Sequence, residues 1–137
     1  MRKPATVIFG ISAAVALVGT LSIVPVNAQA AGAVPDKKVC DNKENPPKDA
    51  ATQGGCIVLE RTKGNCMACH AIAGTASGNI APPLVQMKQR FPDKAKLRAH
   101  IDDARKFNPR TVMPPFGAHE ILTKDEIDKV VEFMLTL

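Results

Sequence analysis

The sequence predicts an all-α domain, and three observations carry that expectation. Near the C-terminus Ile127, Val130, Val131 and Met134 fall at i, i+3, i+4 and i+7, the spacing of one helix face. Nowhere does the chain show the apolar–polar alternation of a half-buried strand, and no internal repeat is visible. Prolines fall where helices start and stop, at Pro82-Pro83, Pro92-Asp93 and Asn108-Pro109.

The elements follow in chain order. Arg2 and Lys3 open a short basic start, Val7 to Val24 is apolar and uncharged, Pro25 breaks the run, and Ala28-Gln29-Ala30 follows. This is the layout of a secretory signal peptide, residues 1–30, cleaved after Ala30 or, as an alternative, after Ala28. An uncleaved anchor is the competing reading, because about 18 apolar residues can just span a bilayer. Gly10, Gly19, Pro25 and the A-x-A site favour removal. A lipoprotein is disfavoured because the first cysteine, Cys40, lies well beyond the apolar run. The expected destination is the periplasm, with no membrane attachment after cleavage.

About 107 residues remain, enough for one small helical domain with a modest core. Both charges lost with the leader are positive, so the formal net charge falls from +5 to about +3. With no Trp, no Tyr and no dense Lys/Arg cluster, nucleic-acid binding has little support.

Residues 31–49, with Pro46-Pro47 side by side, read as an extended arm that is mobile unless tied down. The domain proper is expected over 50–137. A first helix is predicted from about Lys48 to Arg61, with Ala51, Gly55, Val58 and Thr62 on one face. Gly54 and Gly55 each weaken a helix by about 1 kcal/mol relative to Ala. Close approach of another helix would compensate; the alternative is a shorter helix that starts after them. Pro82-Pro83 is expected to start a short helix carrying Leu84, Met87 and Phe91. Pro92-Asp93 then opens another, with Leu97, Ile101 and Ala104 on one face, ended by Asn108-Pro109. Thr123-Lys124-Asp125-Glu126 is a T-x-x-E capping box that opens the last helix.

The chemistry sits at Cys66-Met67-Ala68-Cys69-His70. C-x-x-C-H is the attachment signature of a c-type haem, in which both thiols bond the cofactor and the histidine lies beneath the iron. A thioredoxin-like dithiol would need a βαβ surround, which is absent. Zinc could use four cysteines, but Cys40 and Cys56 do not form the paired knuckles of such sites. One covalent haem c is therefore expected, with His70 as proximal ligand. Cys40 and Cys56 then remain as a candidate disulfide, which oxidising conditions permit. The alternatives are two free thiols, one of which could be reactive, or a bond to another subunit.

Met113 is the candidate for the sixth ligand. It lies in Thr111-Val112-Met113-Pro114-Pro115-Phe116-Gly117, where the prolines make a stiff loop. Its rival is His119, close behind the same loop. Met67 sits inside the motif; Met87 and Met134 fall on apolar helix faces, where Met fills gaps; and His100 reads as solvent-exposed. Met/His ligation raises the haem potential and leaves no open coordination position, so the group would pass electrons. Ligating histidines are held by an acceptor on their other nitrogen, and the expected acceptor is the Pro82 carbonyl. No nucleophile–base pair is visible, so no catalytic residue is assigned.

With these residues in place, the chain resembles the class I c-type cytochromes. That resemblance implies a crossing of the first and last helices at Gly55 and Phe133. It also implies a Gly-Pro-x-Leu turn, here Ala81-Pro82-Pro83-Leu84, in which Ala81 departs from the glycine. From Val58 to Leu137 the chain is similar to the SoxX family, the monohaem subunits of the SoxAX cytochromes of thiosulfate-oxidising bacteria. The carriers are I-V-L-E-R-T-K-G-N-C-M-A-C-H at 57–70, D-A-R-K-F-N-P-R-T-V-M-P-P-F-G at 103–117 and H-E-I-L-T-K-D-E-I-D at 119–128. The middle string is the most specific. The family implies a heterodimer with a SoxA-type haem subunit that joins thiosulfate to a cysteine of the SoxYZ carrier, an L-cysteine S-thiosulfotransferase. The sulfur chemistry belongs to SoxA, and the SoxX haem passes electrons to a small cytochrome c. A free-standing electron shuttle is the alternative.

Overall fold

The computed structural model describes residues 33–72, 75 and 78–137. The expected signal peptide lies outside the described residues. Among the described residues there are five helices, α1 (Lys37–Cys40), α2 (Ala50–Leu59), α3 (Met87–Arg90), α4 (Lys94–Asp102) and α5 (Lys124–Met134), with single 3₁₀ turns at Cys66–Ala68 and Ala104–Lys106. Among the described residues there is no strand, only an isolated bridge between His70 and Ala81. No described helix is long and apolar enough to cross a membrane.

The fold is built on the crossing of α2 and α5. Asp49 caps α2 by accepting the Thr52 amide at 2.7 Å. The helix then runs straight through Gly54 and Gly55, so it does not wait until after them to begin. It is shorter than the expected 48–61, and Thr62 is exposed beyond its end while Thr52 is buried within it. Both glycines are used. A Cβ on Gly54 would lie 1.9 Å from the Lys129 carbonyl oxygen, so backbone meets backbone there. A Cβ on Gly55 would lie 3.0 Å from the Phe133 ring and 2.5 Å from Pro35. The glycine–aromatic contact is therefore present, and the tighter approach is one residue earlier.

Helix α5 starts at its capping box, with Thr123 Oγ1 accepting the Glu126 amide and the Glu126 carboxylate accepting the Thr123 amide. Its apolar face and Val58 supply the four fully buried large side chains, Val58, Ile127, Val130 and Val131. Phe133 and Met134 complete the buried side of the helix. Helix α4, capped by Asp93, packs Leu97 and Ile101 onto this core. Two cross-helix ion pairs, Lys94–Glu132 and Arg98–Asp128, run along its contact with α5.

Two boundaries differ from the sequence expectation. The segment after Pro82-Pro83 is not helical; it stays extended, with the Leu84 amide bonded to the Ala71 carbonyl, and α3 begins only at Met87 after a left-handed Gln86. A proline's fixed φ suits extended chain as well as a helix start, and here pairing with the chain beside His70 decides. Helix α4 ends at Asp102, earlier than Asn108-Pro109, because Asp103 is extended (φ −156°, ψ 94°). Ala104 is buried all the same, from the 3₁₀ turn that follows.

The arm is also more structured than expected. Pro35 is buried over the α2–α5 crossing, Asp36 caps α1, and a Cys40–Cys56 disulfide joins α1 to α2 across a Cα separation of 5.4 Å.

Candidate haem site

The segment before the motif turns sharply. Gly64 comes so close to α2 that a Cβ would lie 2.5 Å from the Ile57 carbonyl oxygen, and Asn65 takes a left-handed conformation (φ 46°). The chain then winds one 3₁₀ turn, with Cys69 and His70 amides bonded to the Cys66 carbonyl. Cys66 and Cys69 are free thiols, both half-buried. Burial pushes the Cys66 thiol up to about 11, so it is protonated at neutral pH. The position of the motif relative to the core is held by Lys63, whose ammonium pairs with Glu126 of the α5 capping box.

Residues 78–84 run beside the motif. The amides of Ile80 and Ala81 bond the Cys69 carbonyl at 3.1 and 3.0 Å, and Gly78 bonds the Met67 carbonyl at 2.8 Å. Gly78 packs so tightly that a Cβ would meet the Ala68 carbonyl oxygen at 2.1 Å. This pairing delivers the Pro82 carbonyl to His70, whose Nδ1 lies 2.7 Å from it. A carbonyl only accepts, so the contact places a proton on Nδ1, and in the neutral ring Nε2 then carries the free lone pair that a metal-binding imidazole needs. Ala81 in place of glycine does not prevent it.

Met113 lies in the loop between α4 and α5, partly buried and packed against the core. Its amide bonds Thr111 Oγ1 at 3.1 Å, and Phe116 beyond the two prolines is buried as an anchor. The loop closes at its base, where the Asp102 carbonyl accepts the Gly117 and Ala118 amides at 3.0 and 3.3 Å. A Cβ on Gly117 would sit 2.0 Å from Asp102 Oδ1, so that carboxylate would have to move to admit a side chain. His119 is exposed and its Nε2 faces Arg105 Nη1 at 3.4 Å. Met87 and Met134 are core residues, and Met67 packs against the core edge.

Two features were not foreseen. His100 is not an exposed residue: it stacks on Phe107 (centroids 4.0 Å apart), meets Phe91 edge-on at 5.4 Å, and its Nδ1 is buried without a partner. Burial, with the nearby Lys96 charge, lowers its pKa. The helical wheel placed it beside the core face, and the covering ring comes from outside α4. The second is Arg105, which grips the buried Asp103 carboxylate with Nε at 2.8 Å and Nη2 at 3.0 Å while reaching His119 with Nη1. The D-x-R spacing at 103–105 was the signal for it.

The donor chemistry fits a covalent haem. Two unpaired thiols sit on one tight turn, the adjacent imidazole is fixed in the metal-binding tautomer, and a thioether occupies a stiff, half-buried loop. Zinc held by four cysteines is excluded because two of them form a disulfide. Large apolar side chains left exposed nearby in sequence, Ile80 (70 %) and Val112 (81 %), are also what a bulky apolar cofactor or a partner would cover.

Comparison with known proteins agrees. The family model described as cytochrome c oxidase, cbb3-type, subunit III matches residues 58–134, more than half of the chain. A solved structure, SoxXA from P. pantotrophus, is similar over 62 % of this chain and 79 % of that chain, at 28 % identity and a TM-score of 0.56. No curated protein sequence matches. A described chain with these helices, a C-x-x-C-H turn and this likeness carries covalently bound haem c and serves electron transport. The chain thus belongs to the cytochrome c-type family that this model describes, and within it is a SoxX-like cytochrome.

Proposed function

We propose that this chain is the monohaem electron-transfer subunit of a SoxAX-type L-cysteine S-thiosulfotransferase. The observation that carries the reading is the likeness to a SoxXA structure over 62 % of this chain and 79 % of that chain. Residues 50–137 form the cytochrome domain, 31–49 the arm, and 1–30 a signal peptide that directs the chain to the periplasm.

Cys66 and Cys69 would tether the haem through thioether bonds, and His70 and Met113 would ligate its iron. The bound haem supplies reversible one-electron chemistry at its iron. The protein's part is positional. The Pro82 carbonyl holds the His70 proton at Nδ1 and so orients Nε2. Pro114 and Pro115 stiffen the loop that presents the Met113 sulfur, and Phe116 locks that loop into the core. His119 is the weaker ligand candidate because its Nε2 is already engaged by Arg105. In this role electrons released when a SoxA-type partner joins thiosulfate to the SoxYZ carrier cysteine leave through this chain to a small cytochrome c.

The test is a tagged pull-down from the periplasm of thiosulfate-grown cells, with haem staining of the separated subunits. A second haem-bearing chain in stoichiometric yield, retained in high salt, is expected. Recovery of this chain alone, haem-bearing and monomeric, would instead assign it to a free-standing shuttle. Met113→Ala is expected to keep covalent haem, lower the reduction potential and admit carbon monoxide to the reduced iron; an unchanged potential and spectrum would move the ligand to His119.

A further inference from the structure

The 103–119 segment leaves α4 at Asp103, carries Met113 at its far end, and returns to the domain at Gly117–His119. Its two limbs meet at a neck. The Asp102 carbonyl bonds the returning Gly117 and Ala118 amides. Arg105 adds a side-chain bridge across the same neck. Two of its nitrogens bind both carboxylate oxygens of Asp103 on the outgoing limb, and the third reaches Nε2 of His119 on the returning limb. Arg has no acceptor, so His119 must present an unprotonated Nε2 to it. The outgoing limb is also held from outside, by Phe107 stacking on His100 of α4.

Arg105 is 44 % exposed at its side chain, so its ion pair with Asp103 is screened and adds little to global stability. What the planar fork supplies is geometry, three donors set at fixed angles between two limbs. We propose that Arg105 is a positioning residue: by bridging Asp103 and His119 it closes the neck of the 103–119 loop, and so restrains departure of Met113 from the haem iron. The proposal rests on the reading of Met113 as axial ligand.

The experiment uses the full haem-bearing protein and the rate at which imidazole replaces the methionine on the ferric iron, with the sulfur-to-iron absorption band and the reduction potential as parallel readouts. Arg105→Ala is expected to speed imidazole entry on the order of tenfold or more, the scale of losing hydrogen bonds to a charged group. Arg105→Lys, with one ammonium in place of the fork, is expected not to restore the native rate. His119→Gln keeps an acceptor and is expected to behave as the native protein, whereas His119→Phe is expected to follow Arg105→Ala. Covalent haem content and far-ultraviolet circular dichroism establish that each variant is folded; the His119 pair, at an exposed position, carries the test if Arg105→Ala does not fold. Native exchange rates in Arg105→Ala, or in His119→Phe, would overturn the proposal. Met113→Ala separates the two readings: if it opens the iron while the Arg105 and His119 variants exchange at the native rate, the positioning role alone fails; if it leaves the spectrum unchanged, the ligand assignment fails and takes this proposal with it.

Discussion

Gly54→Ala is the most demanding single perturbation of the fold. Taken in isolation the change favours the helix, since Ala is better than Gly by about 1 kcal/mol in a helix interior. At the crossing it places a methyl group 1.9 Å from the Lys129 carbonyl oxygen, 2.4 Å from its carbon and 2.9 Å from the Val130 nitrogen. Those atoms are backbone and cannot rotate away. Ordinary contact begins near 3.4 Å, so α2 and α5 must separate by about 1.5 Å. That separation loosens Val58 from Val130 and Val131, which are all but inaccessible to solvent. Overpacking of this kind costs typically 1–3 kcal/mol, and backbone-to-backbone contact belongs at the upper end. The net of the two effects is a loss of about 2 kcal/mol. For a domain of this size the midpoint falls by about 4–8 °C per kcal/mol, hence by about 10 °C or more. The assay is thermal unfolding of the haem-bearing protein followed by far-ultraviolet circular dichroism. Gly55→Ala is the companion variant and is expected to lose less, because its neighbours, Pro35 and the Phe133 ring edge, are side chains that can shift. A Gly54→Ala protein at least as stable as the native one would refute the close-approach account.

Three further outcomes are expected. Cys40→Ser with Cys56→Ser opens a 16-residue link and is expected to lower stability by about 3 kcal/mol in the chain-entropy model, read as a lower urea midpoint, with the haem spectrum unchanged. Thr123→Ala removes the hydroxyl that accepts the Glu126 amide and is expected to cost about 1 kcal/mol, again read from the urea midpoint. Acid is expected to weaken the fold in a defined direction: the Thr52 amide holds Asp49 below its ordinary 3.8, and Lys63 with the Thr123 amide holds Glu126 below 4.5. Each contribution is complete above the ordinary value and is lost as pH falls through the lowered one, so urea midpoints should be level near neutrality and decline below about pH 5. Glu126→Gln is expected to flatten that decline, and a midpoint that stays level down to about pH 3 would contradict the assignment.

What the sequence made legible was local. The capping box, the C-x-x-C-H turn and the acceptor expected twelve residues past His70 are short-range patterns whose chemistry does not depend on distant chain. What it hid was decided between elements. The helical spacing put Gly55 on the contact face, and only the path of α5 makes its neighbour Gly54 the point of backbone contact. His100 sits at the edge of an amphipathic pattern, and its burial depends on a ring from the loop beyond α4. The extended course of 82–84 was missed because Pro82-Pro83 serves either conformation, and pairing of Leu84 with Ala71 settles the choice. Arg105 was passed over because its partner His119 is fourteen residues away.

The α2–α5 crossing also orders events in time. Helix α2 and the haem motif are synthesised well before α5, so the contact between Gly54 and Lys129 is a long-range closure that comes late. Cys40 and Cys56 are near neighbours in sequence and can find each other without it. The covalent link between the arm and α2 therefore does not depend on the last helix, and docking of α5 completes a framework already tied at its N-terminal end.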